Sequence, residues 1–169
     1  MAKLLTLIAQ LHEFQPDAPP SPQGLVVRPS KAADLQQLGT LYFEAYEPGI
    51  ACDSLDEATD DIKASFDGEY GEYWYEASPV VEADGCIVSA VMTVRRAPWD
   101  DTPDCPFIIE LFTARDHRRR GLARLLIRHC LVIAHRSGET AVALRVAEDN
   151  TPARALYQSL GFSDWQSLS

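Results

Sequence analysis

Residues 107–147 constrain this chain more tightly than any other stretch. Phe107–Thr113 is an almost wholly apolar run of strand length, interrupted only by Glu110. Gly121–Arg136 then carries Leu122, Leu125, Leu126, Cys130, Ile133 and Ala134 at helical spacing, and Ser137-Gly138 closes it with the usual C-terminal glycine. Thr140–Ala147 alternates Val142, Leu144 and Val146, the period of a second strand. A strand, a helix and a strand in direct succession predict a parallel pair joined by a right-handed crossover.

At 169 residues the chain is long enough for one domain with a sizeable core and short for two. Lys3–Leu11 reads as a short amphipathic helix rather than a signal peptide, because His12, Glu13 and Gln15 follow and no small-residue cleavage site does. Residues 16–24 are Pro-rich, so residues 1–24 are expected to be an appended helix and linker, and residues 25–169 a single domain. Leu25–Arg28 is a short strand stopped by Pro29. Ser30 is expected to cap a helix through about Glu44, which Pro48-Gly49 ends. Ser54 to Phe66 reads as a second helix, with Leu55, Ala58, Ile62 and Phe66 three or four apart. Ser78–Ala83 and Cys86–Arg95, joined by Asp84-Gly85, form a predicted hairpin. Residues 97–106, with three prolines, are an irregular loop over one end of the sheet. Asn150 or Thr151 caps a last helix that has Pro152 in its first turn and Gly161 at its end.

The formal net charge of −10 argues against a nucleic-acid partner, which needs a basic face. No apolar run approaches the roughly 18 residues of a membrane helix, and the expected compartment is the cytoplasm. Cys52, Cys86, Cys105 and Cys130 form no CxxC pair, so they read as buried thiols and no metal is expected. Against the acidic background, half of the chain's twelve arginines crowd into Arg115–Arg128. By composition alone that cluster is equally an anion site or a solvated helix face.

Its position favours the anion site. Arg118-Arg119-Arg120-Gly121-Leu122-Ala123-Arg124 opens the predicted helix directly after the apolar strand. A helix start presents unpartnered N–H groups and about half a positive charge, and Gly121 and Ala123 let a phosphate approach that backbone closely. The chain has neither a P-loop nor a Rossmann glycine pattern. Here it resembles the GNAT acyltransferase superfamily, whose Gln/Arg-x-x-Gly-x-Gly/Ala signature is met by Arg118, Gly121 and Ala123. Asn150 through Tyr157 follows in order and matches the family's Asn-x-x-Ala-x-x-x-Tyr through Asn150, Ala153 and Tyr157, and Gly161-Phe162 matches its Gly-Phe ending. The likeness is close over 107–165, looser over 25–96 and absent over 1–24.

The resemblance implies an α/β fold: a mixed, mostly antiparallel twisted sheet flanked by helices, with a central parallel pair that splays to hold acyl-CoA. It implies acetyl-CoA as cosubstrate and direct transfer, in a ternary complex, to a small-molecule or peptide amine; a homodimer is a family-level expectation. Backbone around Leu111, Phe112 and Thr113 would pair with the pantetheine arm. The loop from Arg118 and Arg119 through Arg120, Gly121, Leu122, Ala123 and Arg124 would hold the phosphates. Asn150 and Ala153 would contact the cofactor, and Tyr157 would protonate the leaving thiolate. Asn150 reads equally as a helix cap, and Tyr157 as a core aromatic.

Glu110 is the one charged group in its apolar strand, where burial raises a carboxyl pKa towards that of a useful base. A water as base, or an ion pair of Glu110 with Arg95 or Arg145, are the open alternatives. A non-catalytic acyl-CoA-binding sensor or interaction domain is the competing function. The acceptor is set by residues 42–76 and 97–106, where Asp53, Asp56, Glu57, Asp100, Asp101 and Asp104 favour a cation. Tyr42, Tyr46, Tyr73, Trp74 and Trp99 offer aromatic walls or core packing.

Overall fold

The computed structural model describes residues 3–12, 19–46, 50 and 52–166. The chain runs β1 (Leu4–Gln10), β2 (Leu25–Pro29), α1 (Leu35–Ala45), α2 (Leu55–Phe66), β3 (Pro79–Ala83), β4 (Cys86–Val94), β5 (Phe107–Thr113), α3 (Leu122–Arg136), β6 (Ala141–Ala147), α4 (Thr151–Ser159) and β7 (Phe162–Asp164). The strands form one sheet in the order β2-β3-β4-β5-β6-β1-β7. All pairings are antiparallel except β5 with β6, as predicted from the strand–helix–strand run.

Both sheet faces are covered. On one, α3 packs Leu122, Leu126, Ile127 and Cys130 against Val88, Val91, Ile108 and Leu144. On the other, α1 and α2 pack Leu38, Tyr42, Ala58 and Ile62 against Val80, Ala90, Met92 and Phe112. With helices on each side, β4 is buried at every position after Cys86, which explains its continuous apolar reading. Cys86 itself is exposed at the hairpin turn; only Cys52, Cys105 and Cys130 are the buried thiols expected.

Three expectations are corrected. Lys3–Leu11 is not a helix: Leu4–Gln10 is a strand inserted between β6 and β7. Its apolar residues satisfy both periods locally. Two open ladder edges, and a core that takes Leu7, Ala9 and Leu11 from alternate positions, select the period of two. The division at residue 24 therefore falls inside one sheet. The start of α1 also differs. Ser30 does not cap it; a short 3-10 turn at Ala32–Asp34 intervenes, and the Asp34 carboxylate accepts from the Lys31 N–H at 2.9 Å. Arg28 grips Asp34 with two 2.9 Å hydrogen bonds and holds Glu82 at 2.7 Å. These contacts hold Asp34 below the usual carboxylate range despite its burial. Finally, β7 was not expected at all. Ser54 does begin α2, its hydroxyl accepting from the Glu57 N–H at 3.1 Å. The Pro48-Gly49 stop and residues 13–18 lie outside the described residues. Among the described residues, no helix is long and apolar enough to cross a membrane.

The parallel pair is short. Only Phe107↔Ala143 and Ile108↔Leu144 are in register, and beyond them β5 and β6 part. The opening lies at the C-terminal ends of two parallel strands, where open α/β sheets usually take their ligands.

Candidate functional site

A cleft of about 790 Å³ occupies this opening, within the range of cofactor pockets. One wall is the end of β5, Leu111 to Thr113. Its floor is the loop entering α3, and its far wall is the start of α4, with Asn150, Ala153 and Tyr157. The loop has a geometry that suits an anion. Arg119 and Gly121 both adopt left-handed backbone (φ 63° and 76°), turning successive N–H groups towards one side. The first backbone hydrogen bond of α3 runs from the Leu125 N–H to the Gly121 carbonyl, so the N–H groups of Leu122, Ala123 and Arg124 precede the helical ladder. A Cβ on Gly121 would meet no protein atom within 4 Å; the space beside it is open to a ligand. This donor set fits a pyrophosphate.

The arginines divide their work. Arg118 donates to the Ala45 carbonyl and, at 3.3 Å, to the Thr113 carbonyl. Arg115 donates to the Tyr46 carbonyl at 3.0 Å. Together they tie the end of α1 to the cradle loop. Arg124 donates to the Ser159 hydroxyl at 2.6 Å, linking α3 to α4. Arg119 lines the cleft and is exposed, whereas Arg120 is exposed but not on the cleft wall. Every other residue expected to contact the cofactor lines the cleft. Asn150 is also the α4 cap, its side-chain oxygen accepting from the Ala153 N–H at 3.3 Å.

Glu110 does not face this cleft; it lines a second cavity of about 170 Å³ on the α1–α2 face. The register between β4 and β5 explains its direction. Met92 pairs with Glu110 and Thr93 with Ile108, leaving Ile109 as an extra residue. The resulting bulge turns Ile109 and Glu110 to the same cavity instead of opposite faces. Neither arginine proposed as a partner takes Glu110: Arg95 stacks 3.8 Å over Trp74 and pairs with Glu72, and Arg145 lies 5.6 Å from the Trp99 ring centroid. The half-buried carboxyl instead lies beside the phenols of Tyr46 and Tyr42. Burial, aided by the nearby Asp61 charge, outweighs the stabilising effect of those phenols on the carboxylate and pushes its pKa up to about 7. Tyr46 lines the large cleft as well, so the Tyr46–Glu110 pair stands between the two cavities. Tyr157 is half-buried, within 5.9 Å of the Phe162 ring, and burial first and Glu110 second raise its pKa. Sequence reasoning placed Tyr46 among the aromatic walls but not at this junction. Its signal exists only in space, 64 residues from Glu110.

The chain belongs to the GNAT acetyltransferase family, whose model matches residues 35–162. That family uses acetyl-CoA. Human N-acetyltransferase 8 is 32% identical over 131 residues, covering 72% of this chain and 53% of the relative. Human N-acetyltransferase 8B is 32% identical over 133 residues, covering 76% and 56%. The chain thus spans about half the length of these relatives. Among solved structures, a GCN5-related N-acetyltransferase from Sphaerobacter thermophilus superposes with a TM-score of 0.72 at 20% identity, over 96% of this chain and 48% of that one. An aminoglycoside N-acetyltransferase, AAC(6')-Iy, in complex with CoA superposes with a TM-score of 0.65 at 19% identity, over 89% and 95%. At those identities the likeness establishes the fold.

Proposed function

We propose that the protein transfers the acetyl group of acetyl-CoA directly to an amine held on the other side of Glu110, in a ternary complex. The observation that carries this reading is the junction itself: a cleft with a phosphate cradle and a small acidic cavity meet at Tyr46 and Glu110.

In this reading acetyl-CoA supplies a thioester carbonyl at the Tyr157 end of the large cleft. The cradle from Arg119 to Arg124 and the backbone of Leu111–Thr113 orient it. An amine arrives as an ammonium, which has no lone pair to attack with. Glu110, with a pKa near 7, is matched to take that proton at neutral pH. The amine nitrogen then bonds to the carbonyl carbon, the carbon–sulfur bond breaks, Tyr157 gives its Oη proton to the departing sulfur, and the proton shed by the new amide nitrogen restores the phenol. Its raised pKa keeps the phenol protonated until then. Alignment of the two reactants contributes about 7–11 kcal/mol, against roughly 3–5 kcal/mol from the base and acid. The cleft therefore matters more to rate than any one proton carrier.

An acceptor panel of small amines, aminoglycosides and peptide N-termini, read out as CoA released from acetyl-CoA, tests the proposal. Release with at least one amine is expected. Stabilisation by acetyl-CoA without release from any of them would favour the sensor reading instead.

A further inference from the structure

The small cavity behind Glu110 has a composition that selects its occupant. Two carboxyl groups line it, Glu110 from β5 and Asp61 from α2, and among the described residues no basic side chain does. Among the described residues, neither carboxyl forms an ion pair. Asp61 uses one oxygen to accept from the Tyr70 phenol at 3.0 Å, which fixes the carboxylate and leaves its other oxygen available. The remaining lining is largely aromatic and aliphatic, Tyr42, Tyr70, Trp99, Ile62 and Ile109, with the Ser65 hydroxyl turned to the Asp61 carbonyl at 3.2 Å. Trp99 is 41% exposed although the chain packs its other tryptophan of this region, Trp74, in the core. Its ring is held edge-on against Phe107 at 5.8 Å, and the Thr102 hydroxyl donates to its carbonyl at 2.8 Å. An indole fixed on the cavity wall is a surface that attracts cations, as the Arg145 guanidinium 5.6 Å from its ring centroid already does.

From this arrangement we infer that the acceptor is a compact cationic amine with no carboxylate beside the nitrogen, anchored electrostatically by Asp61 and walled by Trp99, Tyr42 and Tyr70. The inference rests on the acetyl-transfer reading for the fate of the amine, but not for its binding. An ammonium entering the cavity relieves the repulsion between two uncompensated carboxyls. A substrate carboxylate would add a third anion with no cationic side chain among the described lining residues to receive it, and like charges brought together across a contact are strongly disfavoured. Arg145, on β6, lies 5.6 Å from the Trp99 ring centroid and is not among the lining residues. The volume, about 170 Å³, is below the 300–1,000 Å³ of pockets for drug-sized ligands, so the part of the acceptor that enters is small.

The experiment is isothermal titration at neutral pH with CoA present, using two matched pairs: 2-phenylethylamine against phenylalanine, and 1,4-diaminobutane against ornithine. In at least one pair the amine is expected to bind about tenfold or more tightly than its carboxylate-bearing counterpart. Asp61→Asn should weaken that amine about tenfold or more, the size of a hydrogen bond to a charged group, and Trp99→Ala should weaken it as well. Stabilisation by acetyl-CoA should be unchanged in both variants, which also shows that they fold. Equal or tighter binding of the amino acids, an Asp61→Asn variant that binds the amine unchanged, or no binding of any of the four overturns the inference. Asp61-dependent binding of an amine that releases no CoA from acetyl-CoA leaves this site standing and removes the acetyl-transfer reading.

Discussion

In the proposed reaction, Glu110 is the group that would couple the chemistry to pH. The groups near it are Tyr42 from α1, Tyr46 just beyond that helix, Asp61 from α2 and Tyr157 from α4. Its folded pKa is raised from 4.5 to about 7, so the folded chain keeps a proton that the unfolded chain releases across that window. Stability therefore falls as pH rises from 4.5 to about 7, by roughly 3 kcal/mol at most. Replacing Glu110 by Gln should stabilise the protein at pH 8 and make no difference near pH 4.5, measured by thermal denaturation at both. The same variant should lose about 10²-fold or more in kcat/KM, while the native profile rises through an apparent pKa near 7. A native profile flat across pH 6–8 would remove Glu110 as the base. For Tyr157→Phe, turnover should fall about 10²-fold with acetyl-CoA affinity nearly unchanged. An unaltered turnover at every pH tested would mean that the sulfur takes its proton elsewhere.

The start of α3 and the strand β1 carry the two assignments that concern whole elements. Gly121 is required by its φ of 76° and by the open space beside it. Alanine there should cost about 1 kcal/mol of stability from left-handed strain, seen as a modest drop in Tm. Glutamate would also place a negative charge where the phosphates belong and should abolish the Tm rise given by acetyl-CoA; a full rise would refute the cradle. In β1, Leu7 is 1% exposed and packs in the α3-side core. Leu7→Ala should cost about 2–5 kcal/mol in denaturant unfolding. A solvated appended helix would instead lose less than about 0.5 kcal/mol.

Across the molecule, a net charge of −10 surrounds a basic cleft entrance. The cradle must attract a polyanion against the overall field, through local N–H groups and the arginines at its mouth. Such an exposed interaction is screened over about 10 Å at 0.1 M salt. The KM for acetyl-CoA should therefore rise with ionic strength between 0.05 and 0.5 M added NaCl; a salt-independent KM would assign its binding to the apolar walls of the cleft.

The cleft was largely legible in advance because its parts are local: an apolar strand, an Arg-Gly-Ala turn, a helix start and a capped helix with a tyrosine two turns in. Period, capping chemistry and left-handed glycine are properties of neighbours in the chain, and they are written in consecutive residues. The acceptor side is different. That Glu110 points to Asp61 follows from a one-residue register slip against β4, and no pattern within β5 encodes its partner's pairing. That Tyr46 bridges two cavities depends on how α1 lies across the sheet. Leu4–Gln10 fits either period until two strand edges offer it hydrogen bonds. Short-range sterics shaped the strand, turn and helix starts that line the large cleft, and long-range pairing decided which groups meet across the gap.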